Sequence, residues 1–263
     1  MNLPIPPRPD DITVEGVPTS ADARPISTWG WWEGIGFYIL AFLAGGIAAT
    51  PVAIALGNTS VNGAIGLSEI VQTIAADLVI TGVLVAWLAR RHKEWRAAIA
   101  LPPTDRLGWH LAFGVIAGAV LVPAIGLVSG ALETLFRHAV GHQVSAPQQV
   151  APGLSTGARV LLVLLACFIA PISEEFFFRG ILFRTVRDRH GFWVAALCSA
   201  VPFGAVHYVP APAIDALVLQ VTMVFTGIGL AWIYERRGTI VASMAAHAMF
   251  NVLGVIVILG IVR

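Results

Sequence analysis

The sequence predicts an all-α protein that crosses a membrane several times, and three of its features carry this prediction. Of its 263 residues, 57% are hydrophobic and only 12% are charged, whereas soluble domains contain about 25% charged residues. Apolar stretches long enough to cross a hydrocarbon core, which takes about 20 helical residues, recur along the chain. The alternating segments of about 10 residues that build a transmembrane barrel are absent. We therefore expect a polytopic bundle of about seven transmembrane helices.

The chain begins with a polar segment and continues with seven apolar ones. Residues 1–28 are rich in proline and lack an apolar core, so we expect a disordered cytoplasmic tail rather than a cleaved signal peptide. Residues 29–263 are expected to form the transmembrane bundle, and tryptophans lie close to the ends of its segments, where indole side chains meet the headgroups. The predicted helices cover about 32–56, 70–89, 110–132, 158–187, 191–208, 214–234 and 239–262.

The distribution of positive charge predicts the orientation of these helices. Lysine and arginine are concentrated in the connections after the second, fourth and sixth segments. Cytoplasmic loops of membrane proteins carry such an excess. The amino terminus is therefore expected in the cytoplasm and the carboxyl terminus outside, in a multi-pass protein of the cell membrane.

Composition also argues against two classes of function. The formal net charge is +1 and Lys93 is the single lysine, so the chain offers no basic tract for nucleic acid. Cys167 and Cys198 both lie inside apolar runs, which is typical of reduced, packed thiols. We expect the lipid bilayer as a partner, no nucleic acid and no cysteine chemistry.

Polar residues inside the apolar segments are few, and they are clustered. An ionisable side chain deep in a membrane costs roughly 2.5 kcal/mol or more, so each needs a partner, a wet cavity or a function. Asp77 stands alone in the second segment. The other candidates lie in the fourth, fifth and seventh segments: Glu174, Glu175, Arg179, Phe203, His207, His247 and Asn251.

Helical rise places the three clusters in one layer. Counted from the arginine-marked ends of their segments, Glu174, His207 and Asn251 lie roughly 18 to 24 Å deep, and His247 lies one turn nearer the cytoplasm. Phe203 is expected to pack beneath His207. A carboxylate, two imidazoles and an amide in one pocket are suited to activating a water molecule and stabilising an oxyanion. The same groups are also suited to a divalent metal with an open coordination position, and the histidine and asparagine of the seventh segment equally suit interhelical hydrogen bonds.

Spacing predicts different roles for the two adjacent glutamates. Glu175 and Arg179 are four residues apart, so they can form an ion pair on their own helix. Glu174 diverges from its neighbour by about 100° and is left free to face the other helices. His207 is also consistent with an interfacial histidine at a helix end. Asp77 could pair with the region of Glu175 and Arg179, protrude into the cavity or bind a substrate, and a secondary supporting role is preferred.

These residues resemble the motifs of the CAAX prenyl protease type II family, also called the CPBP or abortive-infection family. The motifs are Glu-Glu-x-x-x-Arg, Phe-x-x-x-His and His-x-x-x-Asn or Asp, and all three occur in order within 158–262. The resemblance implies a CAAX-protease-like fold and an intramembrane endopeptidase. Glu174 and His207 would activate the water. His247 and Asn251 would stabilise the tetrahedral intermediate or complete a metal site.

The resemblance leaves the cofactor open. Family members have been described both as metalloproteases and as glutamate-dependent enzymes. In the first case Glu174, His207 and His247 would hold a divalent metal such as zinc. Glu175 and Arg179 would be supporting residues in either case.

A membrane-associated peptide or protein is the implied substrate, and the prenyl specificity of eukaryotic members is not carried over. The short chain favours a prokaryotic plasma membrane. Two alternatives stay open: a non-catalytic scaffold or bacteriocin-immunity protein that keeps the motifs as a packed polar network, and a cation-coupled transporter that uses Asp77 and Glu174.

Overall fold

The computed structural model describes residues 27–60, 64–101, 106–147 and 149–259. These residues form eight helices and, apart from an isolated bridge between Ile65 and Val150, no β-structure. The predicted all-α polytopic bundle is confirmed. The helices are α1 (Trp31–Leu56), α2 (Leu67–Arg91), α3 (Trp95–Ala98), α4 (Leu107–Val140), α5 (Thr156–His190), α6 (Phe192–Ala205), α7 (Ala213–Arg237) and α8 (Ile240–Ile258).

Each of the seven predicted apolar segments contains a helix, but their lengths differ from the prediction. Six of the described helices are long and apolar enough to cross a membrane: α1, α2, α4, α5, α7 and α8. The fifth predicted segment, 191–208, forms only the 14 residues of α6, which span about 21 Å. Pro210 disfavours helical backbone at the residue before it, so the chain turns after α6.

The predicted amino-terminal tail lies largely outside the described residues. Of that segment, Ser27 and Thr28 are described, and both contact the bundle where α1 begins. The backbone N–H of Ser27 donates to Asp188 Oδ2 at 2.8 Å, and Thr28 Oγ1 lies 2.7 Å from His92 Nδ1. The carboxyl-terminal part of the last predicted segment, residues 260–262, is outside the described ranges as well.

One end of the bundle gathers the arginine-rich connections, as the alternating topology predicts. Arg187 at the end of α5 forms an ion pair with Glu235 near the end of α7, with Nη2 2.6 Å from Oε1. The N–H of Ile240, at the start of α8, donates to the carbonyl of Ala100 at 3.2 Å. The described basic residues at this end are Arg90, Arg91, Lys93, Arg96, Arg106, Arg184, Arg187, Arg189, Arg236 and Arg237.

The candidate site is built around α5. This helix has 35 residues and is the longest described membrane helix. It packs against α1 and α2 on one side and against α6 and α8 on another. Its residues around Phe178 and Ile181 belong to the main hydrophobic core. The face of α5 that carries these residues is therefore enclosed by other helices, and a polar side chain on this face meets protein rather than lipid.

Two stretches of α5 are wound as π-helix, Leu165–Ile169 and Phe176–Phe183, and a short α-helical stretch, Ala170–Glu175, separates them. In a π-helix each N–H donates to the carbonyl five residues earlier, and such stretches occur frequently at functional sites. Both adjacent glutamates lie in the α-helical stretch between the two π-helical ones. The backbone geometry thus marks the same part of α5 as the sequence motif.

Candidate active site

A cavity of about 580 Å³ opens in the middle of the bundle. Its walls are mainly apolar and come from α1, α2, α5, α7, α8 and the chain after α6. Five of the side chains that the sequence singles out line it together: Asp77, Glu174, His207, His247 and Asn251. Phe203 also lines the cavity, whereas Glu175 and Arg179 lie behind its wall.

Glu174 presents a free carboxylate to this cavity. Its side chain is 23% exposed, and Oε2 lies 3.9 Å from Nε2 of His247. Within the described residues, Oε2 is buried and has no hydrogen-bond partner. A buried carboxylate oxygen without a partner is costly, so the site is suited to a bound water molecule or a substrate N–H.

Glu175 does not line the cavity, and its charge is fully compensated. Its side chain is 0% exposed, and Arg179 Nη1 donates to Oε1 at 2.8 Å. Ser243 Oγ donates to Oε2, and His247 Nδ1 lies 3.0 Å from Oε1. The same-helix ion pair predicted from the spacing is therefore present, and it anchors two residues of α8.

The guanidinium of Arg179 also binds a third helix, α7. Its Nη2 donates to the carbonyl of Gly227 at 2.9 Å, and its carbon Cζ lies 4.5 Å from the centre of the Phe203 ring. The Phe203 ring also contacts both imidazoles, with centroid distances of 4.8 Å to His207 and 5.8 Å to His247. Phe203 therefore packs beneath His207, as predicted, and sets the spacing between the two imidazoles.

His247 is held between the two glutamates. It is 3% exposed, and its Nδ1 faces Glu175 while its Nε2 faces Glu174. Because a carboxylate only accepts hydrogen bonds, Nδ1 carries the proton in this contact. A carboxylate on one ring nitrogen fixes the tautomer and the orientation of the imidazole.

His207 has a defined tautomer for the same reason. It lies two residues beyond the end of α6, and its Nδ1 is 2.7 Å from the carbonyl oxygen of Phe203. A carbonyl oxygen cannot donate, so Nδ1 is the donor and Nε2 of the neutral ring is left as an acceptor. His207 thus has the acceptor nitrogen that a general base needs.

Asn251 supplies a hydrogen bond that the backbone of α5 lacks. In the π-helical stretch the N–H of Ala170 donates to the carbonyl of Leu165, so the next donor in this register would be residue 171. That residue is Pro171, which has no N–H, and the carbonyl of Ala166 therefore lacks a backbone donor. Asn251 Nδ2 donates to this carbonyl at 2.7 Å. One amide hydrogen of Asn251 fixes α8 against α5, and the second is free to point elsewhere.

Sequence reasoning missed two residues of this site. Ser243 donates to Glu175, and its position four residues before His247 on the same face of α8 is the signal that could have found it. Tyr38 of α1 lines the cavity and stacks on Phe177 with a centroid distance of 3.6 Å. No motif in the first three predicted segments pointed to it.

The metal ligands expected from the sequence are Glu174, His207 and His247. Nitrogen and oxygen donors of this kind suit zinc. However, in the part of the chain that the structure describes, no three histidine, cysteine, aspartate or glutamate side chains are arranged so as to hold a metal ion. Glu174, His207 and His247 do not form a three-ligand set in this arrangement, so metal binding stays a prediction.

Comparison with known proteins points to the same motif-bearing region. Residues 156–253 match the family model described as "Type II CAAX prenyl endopeptidase Rce1-like". Over 103 residues the chain is 35% identical to a Bacillus subtilis (strain 168) protein named "Putative membrane peptidase YdiL", an overlap of 39% of each chain. The chain thus spans about two fifths of the length of this relative. No match to a solved structure was found.

Fold, site and comparisons together define a class, that of polytopic helical membrane proteins with a glutamate–histidine site inside the bundle. Through residues 156–253 the chain is similar to the CAAX protease, or CPBP, family. The family resemblance seen in the sequence is thereby confirmed.

Proposed function

We propose that the protein is an intramembrane endopeptidase that hydrolyses a peptide bond of a membrane-associated peptide or protein with a water molecule activated by Glu174. The observation that carries this proposal is the Glu174 carboxylate. One of its oxygens is buried, has no hydrogen-bond partner among the described residues and faces His247 across 3.9 Å. The family match and the name of the bacterial relative support the same class of reaction.

The proposed reaction follows from the protonation states available to these groups. Glu174 takes a proton from the water molecule, and the acceptor nitrogen of His207 is suited to orient that water. The oxygen attacks the substrate carbonyl, so a C–O bond forms and the negative charge moves to the carbonyl oxygen. The proton then passes from Glu174 to the leaving amine as the C–N bond breaks.

The developing oxyanion needs preorganised donors. His247 in its protonated form, oriented by Glu175, is one candidate donor, and the second amide hydrogen of Asn251 is another. Removing one donor of this type commonly lowers kcat by roughly 100- to 1,000-fold. The buried pair of Glu175 and Arg179 then acts through orientation, since neither residue lines the cavity.

The test is the isosteric substitution Glu174→Gln in protein reconstituted into liposomes, with cleavage of a fluorogenic membrane-associated peptide as the readout. We expect turnover to fall by about 100-fold or more, the contribution of a general base, while the detergent melting temperature stays within a few degrees of the original. Glu94→Gln, an exposed glutamate between α2 and α3, is the matched control and should retain activity.

Two results would contradict the proposal. Wild-type turnover in Glu174→Gln would reject Glu174 as the base. A loss of folded protein with no turnover in any form of the protein would favour a scaffold in which the motifs are only a packed polar network. Elemental analysis, with activity measured before and after chelation, separates activation by carboxylate and imidazole alone from metal-dependent activation.

A further inference from the structure

Asp77 is a carboxylate of the cavity wall that the proposed reaction does not use. It lies in the middle of α2, and Gln72, Thr73 and Ile80 of the same helix line the cavity with it. Among the described residues, no ion pair or hydrogen bond to its side chain is present. A charged aspartate at the centre of a membrane helix is costly, so an unpaired one calls for a partner.

The cavity itself supplies no cation for Asp77. None of the described residues that line it is a lysine or an arginine. The buried guanidinium of Arg179 is engaged by Glu175 and Gly227 and lies against the ring of Phe203. Apart from the two histidines, the charged groups of the lining are therefore carboxylates, those of Asp77 and Glu174.

The two carboxylates of the cavity favour a positively charged substrate side chain over a negatively charged one. An anionic group in the cavity would meet two carboxylates in a setting of low dielectric, where like charges repel strongly. A lysine or arginine side chain would instead lay its aliphatic stem along the apolar walls and bring its charged head to a carboxylate. Charge-assisted hydrogen bonds of this kind are the stronger ones in proteins.

We propose that Asp77 binds a lysine or arginine side chain of the substrate close to the scissile bond and makes the cavity selective for basic peptides. This inference rests on the proposed endopeptidase function and adds the substrate class to it. Asp77 acts here as a specificity-determining residue, and Glu174 keeps its role as the base.

The experiment compares three membrane-associated peptides that differ at one position near the cleaved bond: lysine, Nε-acetyl-lysine and glutamate. Acetyl-lysine keeps the length of the side chain and removes its charge. For the wild-type protein in liposomes we expect kcat/KM for the lysine peptide to exceed that for the acetyl-lysine peptide by about tenfold or more, which corresponds to about 1.4 kcal/mol. The glutamate peptide should be the poorest substrate.

The variant Asp77→Asn should reduce the lysine preference to within about twofold, since the charge is lost and the shape is kept. Asp77→Glu, which restores the carboxylate, should recover the preference, and the exposed control Glu94→Gln should keep it unchanged. The wild-type comparison is decisive even where a variant fails to fold. Equal cleavage of the lysine and acetyl-lysine peptides would overturn the role of Asp77 while leaving the endopeptidase function intact, whereas no cleavage of any peptide would reject both.

Discussion

Glu174 and Glu175 are neighbours in the chain, but their carboxylates have different surroundings. One oxygen of Glu174 has no hydrogen-bond partner among the described residues, whereas Glu175 has three partners. The rotation of about 100° per helical residue points one carboxylate into the cavity and the other into the contact between α5 and α8. Glu175 is compensated there by Arg179, Ser243 and His247. Of these two glutamates, only Glu174 faces the cavity, which supports the proposed role of its carboxylate as the base.

Loss of the buried arginine should be far more costly than loss of an exposed one. Arg179→Met leaves Glu175 as an uncompensated buried charge, so we expect a loss of about 3 to 5 kcal/mol in the free energy of unfolding in mixed micelles. Arg187→Met on the same helix breaks a pair whose side chains are 36% and 26% exposed. Such a pair contributes at most about 1 kcal/mol. Similar losses in the two variants would contradict this assignment.

The contact of Asn251 with the backbone of α5 predicts a specific coupling with Pro171. Asn251→Ala leaves the Ala166 carbonyl without its donor, which should cost about 1 kcal/mol. In a Pro171→Ala background the new N–H can donate to that carbonyl, so the same substitution should cost less. A double-mutant cycle on the free energy of unfolding measures the difference, and an equal cost in both backgrounds would show that the two residues act independently.

At the residue scale, the sequence predicts interactions that depend on helical spacing. The pair of Glu175 and Arg179 follows from their separation of four residues. The hydrogen bond of Asn251 to the backbone of α5 could not be predicted in this way. It depends on the π-helical register of α5, whereas the sequence analysis assumes 3.6 residues per turn. Ser243 was missed because a hydroxyl in an apolar helix gives no charge signal.

The contact between α4 and α8 depends on glycines. A Cβ atom at Gly118 would overlap the backbone of Ala246, and one at Gly114 would overlap the backbone of Ala242. The two glycines are four residues apart, the spacing at which small residues let membrane helices approach closely. Since α8 carries His247 and Asn251, this contact also sets the position of the site residues.

We therefore expect Gly118→Ala to destabilise the protein by about 1 to 3 kcal/mol, the usual cost of overpacking, and to lower the proposed peptidase activity by displacing α8. The matched control is Gly126→Ala on the same helix, where a Cβ would meet no atom within 4 Å. That control should be neutral or slightly stabilising, because alanine is the better helix former. Unfolding free energies and turnover of both variants are the measurements, and a neutral Gly118→Ala would contradict the packing argument.

Element boundaries were predicted less well than element identities. The third predicted helix ends at residue 132, where hydropathy falls, whereas α4 continues to Val140. Its end is set by Gly141 in the left-handed conformation, and Glu133 accepts a hydrogen bond from the backbone of Ala146 there. A helix that leaves the apolar layer keeps its backbone hydrogen bonds, so hydropathy alone does not locate its end.

For the whole molecule, the orientation in the membrane is the prediction with the most direct test. We place the arginine-rich end of the bundle in the cytoplasm, because cytoplasmic loops carry the excess of lysine and arginine. In a Cys198→Ser background, where Cys167 is buried, single cysteines are introduced as Asn58→Cys and Arg236→Cys, both exposed positions. A membrane-impermeant maleimide added to intact cells should label the first and should label the second only after permeabilisation. The reverse pattern would invert the topology.

The whole-molecule architecture was predictable because each transmembrane helix is encoded by its own apolar segment. The layer shared by the three motifs also followed from helical rise alone. The sequence did not predict which helices pack against each other. Close packing depends on glycines and aromatic rings, and their partners lie far away in the chain. Asp77 illustrates the difference: its presence inside a membrane segment was evident, and its place in the wall of the Glu174 cavity required the fold.

The shortness of α6 has a consequence for how the surrounding lipid must behave. A helix of 14 residues falls short of a hydrocarbon core of about 30 Å by roughly 9 Å. Lipids along this helix must therefore thin or tilt, and headgroups with their hydration sink toward its carboxyl-terminal end. His207 lies two residues beyond that end, so we expect the water for the proposed hydrolysis to reach the site from this thinned side of the bilayer.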